Sequence, residues 1–456
     1  MAIKILIGGS PCTYWSIAQK NGRETEASGM GWELFKNYLI AKEKFKPDFF
    51  LYENNKSAAQ AIKDQIAEEF GVGVDPDVRF TYINSALVSA QNRQRFYVTN
   101  FGDIEQPDDR GILLKDILET GDGFGAMGEN TFALTVGSGK GDAPDRILEK
   151  HQRTMVAEPV RIPEYGNADK SRPVSFSYAQ QGAGQIDKNC FSDNPNKQQY
   201  DYVAEPVNLD NIHRLESKEN YIQYDLTGKS HNSQDQRAYY IHSKHGTLNA
   251  SSTQSKTGVI EPVGETYGYA YPCEWDENGR PTKAISCADG KAYTVYEVKD
   301  GQITIKDKQY PIKLPDGFYI IRKLTVRECA RLQTMPDDYC KAVSDSQAYR
   351  ALGNGWTAEI VIHLLNHALK DVPRDEEIVV LSMYDGIATG RYCLDKMGFT
   401  NVTYHAYEID KYPIMVAMDN YPDIIQHGDA FAVREDDWKP PQTRSEWLDD
   451  LLGGGS

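Results

Sequence analysis

Lys4-Ile5-Leu6-Ile7-Gly8-Gly9-Ser10-Pro11-Cys12 is an apolar run that ends in two glycines, a proline and one thiol. The run predicts a buried strand, and the glycines permit a sharp turn after it. Pro11 fixes the backbone just before the thiol, so a strand end of this kind can present a single nucleophile. A lone cysteine is more often a small buried hydrophobe, however. A catalytic role for Cys12 therefore requires an acid, basic anchors and an electrophile from the rest of the chain.

The composition predicts a globular protein with more than one domain. The chain has 456 residues, of which 40% are hydrophobic and 25% are charged, and this length is sufficient for two or more cores. No apolar stretch approaches a membrane span and no signal peptide precedes the first strand, so we expect a cytoplasmic protein without membrane contact. The seven cysteines form no C-x-x-C pair. They therefore indicate neither disulfides nor a metal site.

The net charge of −16 is unevenly distributed. Residues 371–456 hold 17 acidic and 7 basic side chains, whereas residues 1–100 hold 11 acidic and 12 basic ones. A polyanionic partner would therefore meet individually placed arginines and lysines rather than a basic domain.

Two further stretches of the first hundred residues carry candidate catalytic side chains. The apolar run 47–52 ends at Glu53, and chemistry in open α/β sheets collects at the carboxyl ends of strands, so Glu53 and Cys12 are expected at one rim. Arg93 and Arg95 lie two residues apart in a strand-like stretch, which predicts that both point to one side. Taken alone, such a pair is more typical of a solvated edge.

Residues 101–320 differ in character from what precedes them. Helical periodicity is sparse after Leu118, and short β-like runs alternate with turn residues. Similar five-residue segments recur at 156–160, 203–207 and 259–263, but their unequal spacing excludes a regular solenoid. We expect an irregular, mostly β insertion.

The chain then returns to helices and strands. The stretch Arg322–Pro336 predicts a helix that begins after Thr325, which forms a capping box with Glu328, and that ends before Pro336. Residues 351–357 predict a turn that leads into a helix over 358–369.

The next segment resembles a nucleotide-binding unit, with a strand over 378–384, a glycine-containing turn over 385–390 and then a helix. It lacks the full dinucleotide fingerprint. The next strand ends at Glu408, an acidic residue of the kind that a ribose diol requires, and a third ends near Asp429.

Together these motifs resemble those of the DNA (cytosine-5)-methyltransferases, in a circularly permuted order that places the cofactor half last. The matching stretches are Gly9–Cys12, Glu53-Asn54-Asn55, Gln91–Arg95, Arg322–Pro336, Gly353-Asn354, Asp385–Gly390, Glu408 and Asp429. Thr13, Trp15 and Asn55 depart from the residues usual in the family. The resemblance covers nearly everything outside 101–320.

The resemblance implies an α/β, Rossmann-like fold of the type that uses S-adenosylmethionine (SAM), circularly permuted, with a β-rich target recognition domain. Residues 1–100 would form the catalytic half and 371–456 the SAM-binding half. Residues 101–320 would form the target recognition domain, and 321–370 would be bridging helices.

The resemblance also implies roles for four side chains in methylating carbon 5 of cytosine. Cys12 would attack carbon 6, which splits a difficult step into easier ones. Glu53 would be the acid at ring nitrogen 3, Arg95 would hold the ring oxygen, and Arg93 would help to place it and neutralise the thiolate. The base would be flipped out of the duplex, and the loop from Thr13 to Gly31 would close over it.

Cofactor contacts follow from the same resemblance. Glu408 would bind the ribose hydroxyls, Ile409 would pack on the adenine, Asp429 would accept from its amino group, and the turn 386–390 would pass the methionine tail. The full implied set is Pro11, Leu34, Asn354, Trp356, Tyr384, Asp385, Gly386, Ile387, Ala388, Thr389, Gly390, Glu408, Ile409, Asp429 and Ala430, with no metal.

The expected partner is double-stranded DNA, bound by a monomer. Methylation of structured RNA by the same chemistry, or a silent DNA-binding relative, are the alternatives. Restriction–modification, phage protection and orphan regulation all stay open as settings. The end of the chain, Leu448–Ser456, echoes Ile5–Ser10 and is either a remnant of the duplication that produced the permutation or a flexible tail.

Overall fold

The computed structural model describes residues 2–16, 22–119, 131–132, 155–160, 213–218, 221–225, 237–240, 258–260, 269–312 and 314–443. The segment Leu448–Ser456, on which the duplication hypothesis rests, and the repeated segment at 203–207 lie outside these residues. The chain divides into two units. The first comprises Met1–Ile117, Glu129–Lys140 and Val326–Ser456, and the second comprises Leu118–Gly128 and Gly141–Thr325.

The strands, in chain order, are β1 (Ile3–Gly8), β2 (Phe49–Asn55), β3 (Arg79–Asn84), β4 (Gln91–Asn92), β5 (Gln94–Thr99), β6 (Thr131–Phe132), β7 (Met155–Pro159), β8 (His213–Lys218), β9 (Tyr221–Asp225), β10 (Arg237–Tyr240), β11 (Gly258–Ile260), β12 (Tyr271–Trp275), β13 (Pro281–Ile285), β14 (Ala292–Lys299), β15 (Gln302–Ile305), β16 (Lys308–Pro311), β17 (Gly317–Lys323), β18 (Ile378–Met383), β19 (Val402–Tyr407) and β20 (Ile425–Gln426). The α-helices are α1 (Gly29–Phe45), α2 (Gln60–Phe70), α3 (Leu114–Ile117), α4 (Val326–Leu332), α5 (Asp345–Asn354), α6 (Ala358–Leu369), α7 (Thr389–Lys396) and α8 (Lys411–Asn420).

Seven strands of the described part of the first unit form one sheet in the order β20-β19-β18-β1-β2-β5-β3. Strands β20, β19, β18, β1 and β2 are parallel, and β5 runs antiparallel to both β2 and β3. The apolar run of β1 is fully buried because it is the middle strand, as a run without alternation predicts. Its pairing with β18 extends from Ile3 opposite Ile378 to Gly8 opposite Met383. The stretches that follow β1 and β18 therefore leave the sheet at the same edge.

An aromatic core packs on one part of this sheet. Helix α1 contributes Phe35 and Tyr38, both fully buried, which contact Tyr52 of β2 and Phe70 of α2 in edge-to-face geometry. Edge-to-face rings of this kind add roughly 0.5–1.5 kcal/mol per pair to the free energy of area burial. The core thus fixes α1, whose first turn lies close to the loop that follows Cys12.

The second unit is β-rich in its described part. Strands β12 to β17 and β7 form one sheet, and β8 to β11 form another. Arg322 lies on β17, the strand that precedes the predicted helix. Its guanidinium Nε contacts Glu158 Oε2 at 2.9 Å, with both side chains fully buried. Helix α4 begins only at Val326, directly after the predicted cap, Thr325.

Glu53 lies near the end of β2, which ends at Asn55, as predicted. Two local predictions are wrong. Gly353 and Asn354 form the end of α5 rather than a turn before α6. Arg93 lies between β4 and β5 and is not on a strand.

The predicted α/β class is confirmed, whereas the domain boundaries and the permutation stay predictions. None of the described helices combines the length and apolar character needed to cross a bilayer.

Candidate active site

The turn that carries Cys12 is tied to strand β2 by buried side chains. Asn54 Nδ2 donates to Ser10 O at 2.9 Å and to the Tyr52 hydroxyl at 3.1 Å, and that hydroxyl lies 2.8 Å from Ser10 Oγ. A side chain at Gly9 would place its Cβ 2.5 Å from the backbone oxygen of Glu53, so glycine is required for this approach. Cys12 itself is partly exposed. The turn is thus fixed while its thiol stays accessible.

Glu53 and Arg95 form an ion pair with little solvent. Arg95 Nε lies 2.8 Å from Glu53 Oε1, and the two side chains are 10% and 11% exposed. Arg95 is two residues along β5 from Tyr97, which pairs with Glu53. The second carboxylate oxygen, Oε2, accepts from the indole Nε1 of Trp356 at 3.0 Å. Both oxygens of this carboxylate are therefore engaged by donors that do not exchange a proton at ordinary pH.

Arg93 serves a different purpose from its neighbour Arg95. Its Nη2 donates to Gly355 O at 2.8 Å and Gly353 O at 3.3 Å, and its side chain is buried. Burial first, and then repulsion from Arg95, lower the pKa of the Arg93 guanidinium, whereas the negative charges expected at Glu53 and Cys12 oppose that shift. The four predicted catalytic side chains are therefore brought into one cluster.

The buried polar groups around Arg93 form a network that was not predicted, although Gln91 belongs to the motif that carries Arg93. Gln91 Nε2 donates to Leu332 O at 3.1 Å, and Gln333 Nε2 donates to Leu352 O at 2.6 Å. The Thr357 hydroxyl donates to Gln333 Oε1 at 3.0 Å.

The loop between β18 and α7 has an unusual backbone. Tyr384, Gly386 and Ala388 all have φ near +60°, of which only the glycine adopts this region without cost. The Gly386 N–H donates to Glu408 Oε2 at 3.0 Å, and a Cβ at Gly386 would meet no atom within 4 Å. The Tyr339 hydroxyl donates to Ile387 O at 2.8 Å. Hydrogen bonds to Glu408 and Tyr339 thus hold the loop in place, and the space next to the Gly386 Cα is open.

Asp385 points into the protein. Its Oδ1 accepts from the Ser382 and Tyr404 hydroxyls, each at 2.7 Å, and its side chain oxygens are buried. Burial raises the pKa of this carboxyl to about 6, with a smaller contribution from the charge of Glu408. The Asp385 carboxyl therefore anchors the loop through its hydrogen bonds to Ser382 and Tyr404.

The remaining predicted cofactor residues lie at the ends of neighbouring strands or on α1. Glu408 Oε1 accepts from the N–H groups of Ile409 and Asp410, each at 2.8 Å, and the Ile409 side chain is 74% exposed. Asp429 accepts from the Phe431 N–H at 2.9 Å and caps the 3-10 turn Ala430–Arg434. The Tyr384 hydroxyl donates to Leu34 O at 2.7 Å. Thr389 and Gly390 begin α7, Asn354 is exposed at the end of α5, and Pro11 precedes Cys12.

The loop predicted to close over a base is anchored at both described ends. Trp15 is fully buried and its Nε1 donates to Glu24 Oε2 at 3.1 Å. The Gly31 N–H, in the first turn of α1, donates to the same carboxylate. Residues 17–21 of the predicted loop lie outside the described part of the chain. Glu24 thus takes the place of an N-cap for α1, because Ser28 makes no side-chain cap.

No group of three or more His, Cys, Asp and Glu side chains with metal-binding geometry occurs in the described ranges.

Comparison with known proteins gives a family match and several distant relatives. A family model described as C-5 cytosine-specific DNA methylase matches residues 1–123 and 163–370. The type II methyltransferase M.XorII of Xanthomonas oryzae pv. oryzae is 26% identical over 190 residues, which span 39% of this chain and only 40% of that protein. The orphan methyltransferase M.SPRI of Bacillus phage SPR is 25% identical over 395 residues, 78% of this chain and 80% of that protein. The solved structure of the Entamoeba histolytica methyltransferase EhMeth covers 81% of this chain and 78% of that chain, with 10% identity and a TM-score of 0.30.

Proposed function

The chain belongs to the C-5 cytosine-specific DNA methylase family, and we propose that it methylates carbon 5 of a flipped-out cytosine in duplex DNA, using SAM and a covalent bond to Cys12. The observation that carries this proposal is the pairing of β1 with β18. It places the turn that bears Cys12 and the loop 384–388 after adjacent parallel strands, at one edge of the sheet.

The residues of the site divide the reaction among them. The Cys12 thiolate forms a bond to carbon 6, and the electron pair displaced from the ring double bond makes carbon 5 nucleophilic. Negative charge then develops on the ring, where Glu53 supplies a proton at nitrogen 3 and Arg95 donates to the ring oxygen. After carbon 5 has gained the methyl group, it loses its proton to solvent water, and nitrogen 3 returns its proton to Glu53. The electron pair left at carbon 5 re-forms the ring double bond as the bond between sulfur and carbon 6 breaks. This restores both the ring and the thiolate.

The residues at the carboxyl ends of β18 to β20 fit a nucleoside ligand. Space lies open above Gly386, Ile409 offers an exposed apolar face for an adenine, and Glu408 and Asp429 offer carboxylate acceptors for hydroxyl and amino groups. We assign the ribose hydroxyls to Glu408 and the adenine amino group to Asp429. When bound there, SAM supplies the electrophilic methyl group.

The second unit is proposed to read the DNA sequence. Residues 101–320 carry 33 acidic and 24 basic side chains, so base contacts from Asn, Gln, Ser and individual Arg side chains would matter more than a general attraction to phosphate. The names of the two relatives include a type II and an orphan methyltransferase. Both restriction–modification and a solitary role are consistent with this proposal.

We further propose that the chain is a circular permutation of the family order. In sequence the presumed cofactor half follows the catalytic half, yet β18 lies beside β1 in the sheet. A rearranged chain that begins at residue 371 and continues from residue 443 into residue 2 should fold and methylate DNA. Failure of that chain to fold would contradict the permutation without affecting the reaction.

Transfer of labelled methyl groups tests the reaction. Wild-type protein should label duplex DNA but not tRNA, Cys12→Ala should label neither, and Cys340→Ala, a matched change at a buried thiol, should keep activity. A duplex with fluorine in place of the carbon 5 hydrogen should trap the wild-type protein covalently, because no proton can then be lost. Label in tRNA alone would support the RNA alternative, and absence of label with intact DNA binding would support a silent relative.

A further inference from the structure

We propose that Trp356 is a positioning residue for the acid of this reaction, because its indole N–H holds one oxygen of Glu53 while Arg95 holds the other. This inference rests on the proposed function, in which Glu53 meets ring nitrogen 3. Trp356 was predicted only as a cofactor contact.

The two contacts fix the plane of the carboxylate. Arg95 Nε lies 2.8 Å from Oε1, and Trp356 Nε1 lies 3.0 Å from Oε2. A carboxylate bound at one oxygen can turn about its terminal torsion, which is broad, whereas one bound at both oxygens has a single orientation. Indole nitrogen can donate but cannot accept. Trp356 therefore orients the carboxyl without taking part in proton transfer.

Trp356 is itself held in place by its chain neighbours. On one side, the carbonyls of Gly353 and Gly355 accept from Arg93. On the other, Thr357 is buried, with its hydroxyl 2.8 Å from Ser85 Oγ. The residues flanking the indole are thus anchored to the segment between β3 and β5, and Arg95 lies on β5 directly after that segment. The acid and its two donors form one preorganised group.

The charges around Glu53 determine what loss of the indole N–H would do. Arg95 and Tyr97 face it from β5, Tyr52 from β2 itself, and Arg93 and Cys12 complete the cluster. Burial raises the pKa of the Tyr97 phenol far above its usual range, so it stays neutral. Without the indole N–H, the carboxylate keeps its contact with Arg95 at one oxygen but loses the donor at the other, so its plane is no longer fixed.

The test compares Trp356→Phe with Trp438→Phe, a matched loss of an indole N–H that donates to the Tyr407 hydroxyl rather than to a carboxyl. For each protein, kcat and KM for SAM and for duplex DNA are measured across the pH range in which the wild type is active. Trp356→Phe should lower kcat roughly tenfold and leave the KM values for SAM and for duplex DNA unchanged, because the carboxyl is misoriented while both ligands still bind. Trp438→Phe should change neither kcat nor the KM values.

The other outcomes are distinct. A Trp356→Phe protein whose KM for SAM rises while kcat stays unchanged would make Trp356 a cofactor contact only, and would overturn the positioning role. If Trp356→Phe does not fold by circular dichroism, Trp356→Leu is measured in its place, and failure of both to fold assigns the indole to folding instead. Absence of methyl transfer by the wild type overturns the proposed function, and this inference with it.

Discussion

Gly390→Ala is expected to destabilise the first unit, because helix α7 packs on β1 and β19 with no room for a methyl group. An added Cβ would lie 2.0 Å from Ile7 Cδ1 and 2.7 Å from the Tyr404 hydroxyl oxygen. Both neighbours are 1% exposed, so neither can swing into solvent. The Tyr404 hydroxyl is further held by Asp385 Oδ1 at 2.7 Å.

The magnitudes decide the sign of this prediction. Alanine favours a helix over glycine by about 1 kcal/mol. Overpacking a dense core costs about 1–3 kcal/mol, and displacing a hydroxyl from a carboxylate costs about 1.5 kcal/mol more. The free energy of unfolding should therefore fall by about 2 kcal/mol. Urea denaturation followed by tryptophan fluorescence should show a lower midpoint.

A second substitution separates the clash from a general loss of stability. Ile7→Val deletes Cδ1, the atom nearest to the added methyl group, and alone costs about 1 kcal/mol. The double variant should be more stable than the sum of the two single losses predicts, by about 1 kcal/mol. A Gly390→Ala protein as stable as the wild type, or strictly additive losses in the double variant, would refute the packing argument.

Three further predictions concern stability. Glu24→Ala should lower the free energy of unfolding by about 1–2 kcal/mol, since the carboxylate caps α1 and accepts from Trp15. The midpoint of urea denaturation checks this, and Glu24→Gln should lower the free energy of unfolding by less. Because the pKa of Asp385 is raised from 3.8 to about 6 in the folded chain, stability should fall as the pH rises between those values. Asp385→Asn should remove that slope and raise the Tm above pH 7, and an unchanged slope would contradict the assignment. Arg322→Met should cost about 3–5 kcal/mol by leaving Glu158 buried without its cation; the double variant that adds Glu158→Gln should regain part of this in the same melting experiment.

The strands of the central sheet were predictable because the hydrophobic pattern that specifies each strand lies within a short stretch of sequence. The apolar runs of β1, β2, β18 and β19 follow directly from the hydrophobic pattern, and their pairing shows that they belong to one sheet. Burial and local geometry were not predictable where a distant partner decides them. Arg322 has the charge expected of an exposed residue, yet its partner Glu158 lies 164 residues earlier and holds it in a buried strand. Gly353 suggested a turn because of its intrinsic flexibility, but packing buries it at the end of α5.

The stretch Gln91–Arg95 shows most clearly that a sequence motif does not predict which groups its side chains contact. Its three alternating side chains appeared equivalent in a strand pattern, but each binds a different element. Gln91 binds the end of α4, Arg93 binds the carbonyls that precede Trp356, and Arg95 binds the acid. Two of the three acceptors are backbone carbonyls, which carry no residue identity and so leave no trace in the sequence. Substitution in the segment 353–357 should therefore affect catalysis through Glu53 even where no predicted catalytic residue is changed.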